Sequence, residues 1–397
     1  MDKRLKIIIG IFLTALVILG IVILALNSDK NNAQPDPGTP TSTPTPTVSL
    51  TPSPDVQTPA ASTTPEPTPT PAVIETPEPS AEPDLSIRTD YENYKPNESG
   101  EIPVIMFHRF LEAYAPDTEK DYTTTLGEFE ALLQTLYDEG YRLISMKDFI
   151  ECNITVPAGY RPMVFTFDDG SAGQFNLIEE NGRLVLNPKT AVGVMAAFNE
   201  KHPDFGLKGI FYVNMDIGDN TFKGAGSLKE RFEYLQSLGF EIGNHTWGHV
   251  DYKKLTTAGA IVESLGKNQK KALEVMPELN FYSLALPYGS LPKDSSLKQY
   301  LVKGEYEGIS YENLSIMAVG ANPSVPSIHV DYNAQYVRRI RAQGRVAVDG
   351  DLTWWLPRMT EGRMYISDGD PTTIVVPESK AQKVNEQLLN GKTLITY

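Results

Sequence analysis

From residue 102 to residue 320 the chain alternates strand-like and helix-like runs, and no other feature restricts its fold as much. IPVIMF (102–107), YRLIS, RPMVFTF (161–167), KGIFYVN (208–214), FEIG, FYSLAL (281–286), EGISY and LSIMAVG are short, apolar and rich in β-branched or aromatic residues, as strands are. Between them, LGEFEALLQTLYDEG (126–140), MKDFIEC, TAVGVMAAFNEKH, SLKERFEYLQSLG and a run over about 255–276 carry apolar residues at helical spacing. Ser227 and Gly239 bracket one of these helices as its caps. Such alternation predicts an α/β fold, a mostly parallel sheet or barrel with crossover helices outside it. In folds of this kind the loops at the C-terminal strand ends gather the chemistry. His108, Asp168–Asp169, His245–His249 and Pro287–Tyr288 all stand at such ends.

The residues before this region cannot join its core. Residues 1–6 are polar and basic, and residues 7–26 form an uncharged apolar run, long enough as a helix for the roughly 30 Å of a bilayer's hydrocarbon core. It reads as a transmembrane signal anchor with a cytoplasmic tail; the alternative is a cleaved signal, for which the run is long and the following residues give a poor cleavage motif. Residues 27–87 hold about half of the chain's 30 prolines, with many Thr and Ser and almost no aromatic residue. Such a tract cannot bury enough apolar surface to offset its ordering entropy, so it is expected to be a disordered linker. In extended polyproline form it would reach on the order of 150 Å. Both features predict a domain held outside the cytoplasm at the cell membrane.

Residues 88–344 are then the main domain, and residues 345–397 a C-terminal extension packed on it. In that extension RMYISDGDPTTIVVP reads as two strands joined at DGDP, and ESKAQKVNEQLLNG as a helix. One cysteine, Cys152, allows no internal disulfide, so the core or a metal must hold the domain. A net charge of −15 argues against nucleic acid as a partner. The oligomeric state is not legible in the sequence.

Two motifs carry chemistry. In HTWGH, His245 and His249 lie at i and i+4, on one side of a helical turn, where neutral imidazoles can grip one divalent ion. The plainer alternative is a histidine pair beside a polar surface. In TFDDG, Asp168 and Asp169 repel each other unless a dication rewards the pair, one aspartate as ligand and the other as base. Two histidines and one carboxylate with open positions make a catalytic metal site rather than a closed structural one. HTWGH lacks the glutamate of a zinc-protease HExxH, Ser290 has no partner histidine, and FKGAGS lacks the spacing of a phosphate loop. Trp247 is a candidate cleft residue, whereas Trp354 and Trp355 read as core.

TFDDG, HTWGH and LPYG in this order resemble the NodB-homology polysaccharide deacetylases of carbohydrate esterase family four, over residues 100–340. The resemblance implies a distorted (β/α) barrel and a metal-dependent hydrolase that removes acetyl groups from sugars, usually in N-acetylglucosamine polymers. It implies Asp168 as general base, and Asp169, His245 and His249 as ligands of a divalent metal, expected to be zinc. It also implies the Tyr288 N–H as oxyanion donor. Two family features are absent. No late Leu-x-His motif is present, and Ala285 stands where the family has an arginine. His108, at the end of the first strand, is the expected general acid, as in the exopolysaccharide and biofilm-type deacetylases with an early strand-end histidine; His329 is the weaker alternative. Arg109 is the candidate to replace the missing arginine. The partner so implied is a cell-wall or extracellular polysaccharide, with the membrane engaged through the N-terminal helix. An O-acetyl esterase and a non-catalytic wall-binding protein are the rival readings.

Overall fold

Eight parallel strands form one curled sheet: β1 (Val104–Phe107), β2 (Tyr141–Leu143), β3 (Arg161–Asp168), β4 (Ile210–Val213), β5 (Glu241–Asn244), β6 (Ser283–Ala285), β7 (Ser315–Met317) and β8 (Ile340–Arg341). This computed structural model describes residues 87–342 and 348–397. The expected tail, membrane anchor and nearly all of the linker lie outside the described residues. No helix among the described residues is long and apolar enough to cross a membrane.

The strand order is β7-β6-β5-β4-β3-β1-β8, with β2 paired to the first half of β3. An isolated parallel bridge between Met317 and Val337 ties the β7 edge to the segment that leads into β8. The sheet therefore curls until its edges nearly meet. Five helices cross over: α1 (Leu126–Asp138), α2 (Met146–Glu151), α3 (Ala191–Lys201), α4 (Leu228–Ser237) and α5 (Ala258–Val275). Local chemistry starts each of them. Thr125, Ser145 and Ser227 form capping boxes with Glu128, Asp148 and Glu230, and Thr190 and Thr257 cap α3 and α5.

Strand alternation sorts the side chains. On β3, Phe165 and Phe167 point out and join Phe107, Phe211 and the apolar faces of α1, α3 and α4 in one cluster. Phe167 stacks on Phe211 with centroids 4.4 Å apart. Each such buried ring contributes roughly 1.5–3 kcal/mol. Val164, Ile210, Tyr212, Ala285 and Met317 point inward and form a second cluster inside the curl. Thr166 and Asp168 share that inward parity, so the pleat itself sends Asp168 into the mouth of the barrel.

Several expected elements differ. EGISY does not close the series; Ile309–Glu312 pairs antiparallel with Lys303–Tyr306 as a hairpin outside the sheet. Glu307 and Gly308, both at positive φ, make its turn. The closing strand is β8, too short to show in the hydrophobic pattern. A hairpin of Leu177–Glu180 and Arg183–Leu186, not anticipated, is inserted after β3. In the C-terminal segment Thr373–Val376 pairs in parallel with Thr393–Thr396, not with the residues before DGDP. The expected helix over residues 378–391 is instead two 3-10 turns, Glu378–Lys383 and Glu386–Leu388. Between them Val384 is extended, buried and bridged to His329, and this tertiary pairing outweighs helix propensity. Trp355, Met359 and Met364 from this segment join the helix-side cluster.

Candidate active site

Asp168 closes β3 and is only 1% exposed. Its two oxygens accept a bidentate pair from Arg339, Nη1 to Oδ1 at 2.7 Å and Nη2 to Oδ2 at 2.8 Å. Arg339 is itself fully buried; it also donates through Nε to the Ala318 carbonyl (2.8 Å) and through Nη1 to Thr166 Oγ1 (3.0 Å). Burial pushes the Asp168 carboxyl toward the neutral form, but the Arg339 charge and its hydrogen bonds, aided by His245 and His108, hold it below the usual carboxylate range. The expectation for Arg109 is not met. That side chain is on the surface and pairs with Glu119 at 2.5 Å. The arginine comes instead from just before β8, on the far side of β1.

Asp169 follows at φ 82°, a turn that takes its side chain off the barrel wall. Gly170, at φ 65°, continues the turn, and a Cβ there would meet Thr221 Cγ2 at 3.1 Å and Val213 Cγ1 at 3.2 Å. Asp169 Oδ1 then lies 3.3 Å from His245 Nε2 and 3.6 Å from His249 Nε2. One donor atom from each of the three lies within 4.8 Å of the others. His245 is buried, and its Nε2 has no hydrogen-bond partner. Its Nδ1 lies 2.9 Å from the Ala285 carbonyl, which can only accept, so Nδ1 carries the proton and the orphaned Nε2 presents a lone pair. Two imidazoles and a carboxylate around such an atom fit a divalent ion of the borderline class. Burial raises the Asp169 pKa, yet when no ion is bound the charges of His245, His108 and His249 in their protonated forms hold it far below the usual value.

The histidines are not on a helical turn, as their spacing implied. HTWGH is a loop in which Thr246, Gly248 and His249 have φ of 71°, 75° and 46°. A β-branched residue at positive φ is strained. Three buried asparagines hold it there: Asn244 Oδ1 accepts from the Thr246 N–H at 2.8 Å, and Asn214 Nδ2 donates to the carbonyls of His245 (2.5 Å) and Thr246 (2.9 Å). Asn268 Nδ2 donates in turn to Asn244 Oδ1 at 2.8 Å, while its Oδ1 accepts from the Met215 N–H. The imidazole rings end 4.9 Å apart, centroid to centroid.

His108 follows β1, and its Nε2 is 3.9 Å from Asp168 Oδ2. Burial outweighs the nearby carboxylates and lowers its pKa. The ring packs edge-on against Tyr122, with centroids 4.9 Å apart. Gln174, fully buried, donates Nε2 to the carbonyls of both His108 and Asp168 at 2.5 Å and accepts from the Ser171 N–H at 3.2 Å. One amide thus clamps the two strand ends that carry these side chains. Tyr288 has φ 58° in the Pro287–Gly289 turn and is 66% exposed, its ring 4.8 Å from that of His249. The turn uses the N–H groups of Gly289 and Ser290, leaving that of Tyr288 open. His329 is not brought to the site. It lines a groove elsewhere, its Nδ1 accepting from the Asp331 N–H at 3.0 Å. Ser290 Oγ donates to Asp251 Oδ1 at 2.7 Å rather than to a histidine. Trp247 is partly buried against the helix-side cluster, with Lys267 Nζ over its ring at 4.7 Å. Trp355 is buried, donating to the Ala321 carbonyl, and Trp354 packs beside it.

Residues 156–307 match the family model for polysaccharide deacetylase. Over this span the chain is similar to that family, whose members are hydrolytic enzymes. Asp168, Asp169, His245, His249 and Tyr288 lie within the matched span; His108 and Arg339, where the chain departs from the family pattern, lie outside it. No curated protein sequence matches. Among solved structures, a polysaccharide deacetylase from Bacillus cereus is 20% identical with a TM-score of 0.46, covering 63% of this chain and 67% of that one. The deacetylase PplD of Streptococcus pyogenes, solved with acetate, is 14% identical with a TM-score of 0.46, covering 62% and 94%. IcaB of Ammonifex degensii is 18% identical with a TM-score of 0.44, covering 62% and 94%.

Proposed function

We propose that this protein is a metal-dependent N-deacetylase acting on N-acetylglucosamine residues of a cell-wall or extracellular polymer. Residues 7–26 anchor it to the membrane and residues 27–87 serve as its spacer. The reading rests on one observation above all: the orphaned Nε2 of buried His245 faces Asp169 and His249, one residue along from an ionised Asp168. Asp169, His245 and His249 would hold the ion. When bound, zinc supplies Lewis-acid chemistry at the acetyl carbonyl.

Asp168 takes a proton from the water that adds to the acetyl carbon. Arg339 keeps that carboxylate charged and fixed, and each oxygen retains a second acceptor position beyond its arginine bond. The Tyr288 N–H, held outward by its left-handed backbone, donates to the developing oxyanion. His108 then gives a proton to the leaving nitrogen as the C–N bond breaks, releasing acetate and a free amine. Burial weakens the hold of His108 on a proton, which makes its protonated form a stronger acid.

The test is acetate release from chitooligosaccharides by the full chain, with zinc content measured in parallel. Activity should vanish with a chelator, return with zinc, and fall sharply in His108→Ala while zinc stays bound. Release from acetyl esters but not from N-acetyl oligomers would favour an O-deacetylase. One bound zinc with no release from either would favour a binding protein. Zinc retention unchanged in a His245→Ala/His249→Ala variant would overturn the ligand set.

A further inference from the structure

At the opposite end of the barrel from the active site, a groove of about 590 Å³ opens beside the segment that leads into β1. Four cations line it: Arg338, Arg363, Lys380 and Lys383. Only two carboxylates, Glu101 and Asp331, do so, in a chain whose net charge is −15. Both carboxylates are already engaged. Glu101 takes a bidentate pair from Arg363, and Asp331 pairs with Lys383 at 3.3 Å.

Two cations are left over. Arg338 makes no hydrogen bond or ion pair among the described residues, and Lys380 donates only to the Gly362 carbonyl. Both are half-buried, so neither is fully paid back by water. Burial disfavours the charge on Lys380; Glu101 offsets part of that effect, and Lys383 adds to it. The third wall is His329, only 7% exposed. Its Nδ1 accepts from a backbone N–H, so the proton of the neutral ring sits on Nε2, a donor without a partner among the described residues. An imidazole N–H on a buried residue and two cations without an ion-pair partner among the described residues, all around one cavity, suit an anion.

We propose that this groove binds a phosphate group through Arg338, Lys380 and His329 Nε2. The three donors come from separate segments: after β7, before β8, and from the C-terminal 3-10 turn. Phosphate offers acceptor oxygens in several directions and up to two charges, whereas the two coplanar oxygens of a carboxylate would be satisfied by one arginine fork. The phosphate is either free or a phosphodiester of an anionic polymer. In the second case the groove would hold the enzyme to such a polymer while the far end of the barrel works on the acetylated glycan.

The full chain is titrated with inorganic phosphate, with poly(glycerol phosphate) and with a neutral chitooligosaccharide, at low and high salt. Both phosphate probes should bind in competition, and more weakly as salt rises. Lys380→Glu and, separately, Arg338→Gln should each weaken them by about tenfold, the loss of one charged contact. Zinc content and acetate release from a short neutral substrate should stay unchanged in Lys380→Glu. Tighter binding of the polymer than of the ion, phosphate for phosphate, supports the site and assigns a polymer; equal affinity supports it and assigns the free ion. The proposal is overturned if neither probe binds, if both variants bind like the parent, or if the neutral oligosaccharide displaces phosphate. It stands apart from the deacetylase reading, whose failure would appear in acetate release alone.

Discussion

The molecule holds two pairs of neighbouring carboxyl groups, one at the mouth of the barrel and one among the segments that close its other end. At the mouth, Asp168 and Asp169 are surrounded by Arg339 and three histidines, and both carboxyl groups are held below their usual pKa. At the other end, Glu98 and Asp368 have no ion-pair partner among the described residues. Glu98 is fully desolvated; its oxygens accept from Val375 N–H (2.8 Å), Tyr365 Oη (3.0 Å) and Asp368 N–H (3.3 Å). Burial, then the Asp368 charge, push its pKa up to about 8. Asp368 is raised as well, again by burial first. Desolvation acts the same way on both pairs; the local charge decides whether the protein stores a negative charge or a proton. The first pair suits chemistry. The second suits fastening, since Glu98 joins the entry to β1 to the C-terminal segment.

Removing the charge at the mouth should have the largest effect. Asp168→Asn is expected to lower kcat by about 10²–10⁴-fold with zinc content unchanged, as for loss of a general base. Arg339→Met makes the first pair resemble the second by leaving a buried carboxylate unpaired. It should cost about 3–5 kcal/mol in urea unfolding, and a double Asp168→Leu/Arg339→Met variant should recover most of that stability with no activity. The second pair predicts a pH effect. The folded chain holds a proton on Glu98 up to pH of about 8, whereas the unfolded chain releases it near 4.5. That contribution is complete below the unfolded value and disappears as pH rises through the folded one. Glu98→Gln should therefore flatten the fall in stability across this window, by up to about 1.4 kcal/mol per pH unit. The smallest change is expected for Gln174→Met, which releases the clamp between His108 and Asp168. Its kcat should fall by about tenfold, roughly 1.4 kcal/mol, while KM and zinc content hold.

What could be read from the sequence was what is written locally. The β3 run and its aspartates, the histidine pair, and the cap at Ser227 lie within a few residues of their structural partners. Arg339 could not be found in this way, because it reaches Asp168 across 171 residues of sequence. Its strand is two residues long and carries no hydrophobic pattern. A signal was present in the arginine-rich YVRRIR, whose neighbours diverge: Arg338 to the groove, Arg339 into the barrel, Arg341 to Asp351 at 2.9 Å. The asparagines that shape HTWGH were hidden for the same reason. Asn214, Asn244 and Asn268 stand on three different elements or their ends, and only the folded sheet makes them one network. The motif pointed to residues that the fold brings together, and its helical spacing misled about the backbone that carries them.

The late position of Arg339 also orders events in time. A chain made N-terminus first presents Asp168 long before its counter-charge emerges. Until residue 339 arrives, the interior of the curl would have to accept an unpaired carboxylate, which costs several kcal/mol. The barrel mouth is therefore among the last parts able to settle, and a chain cut short of β8 should be left with a protonated or flooded interior. The same residue that balances the charge thus also leads in the strand that finishes the wall.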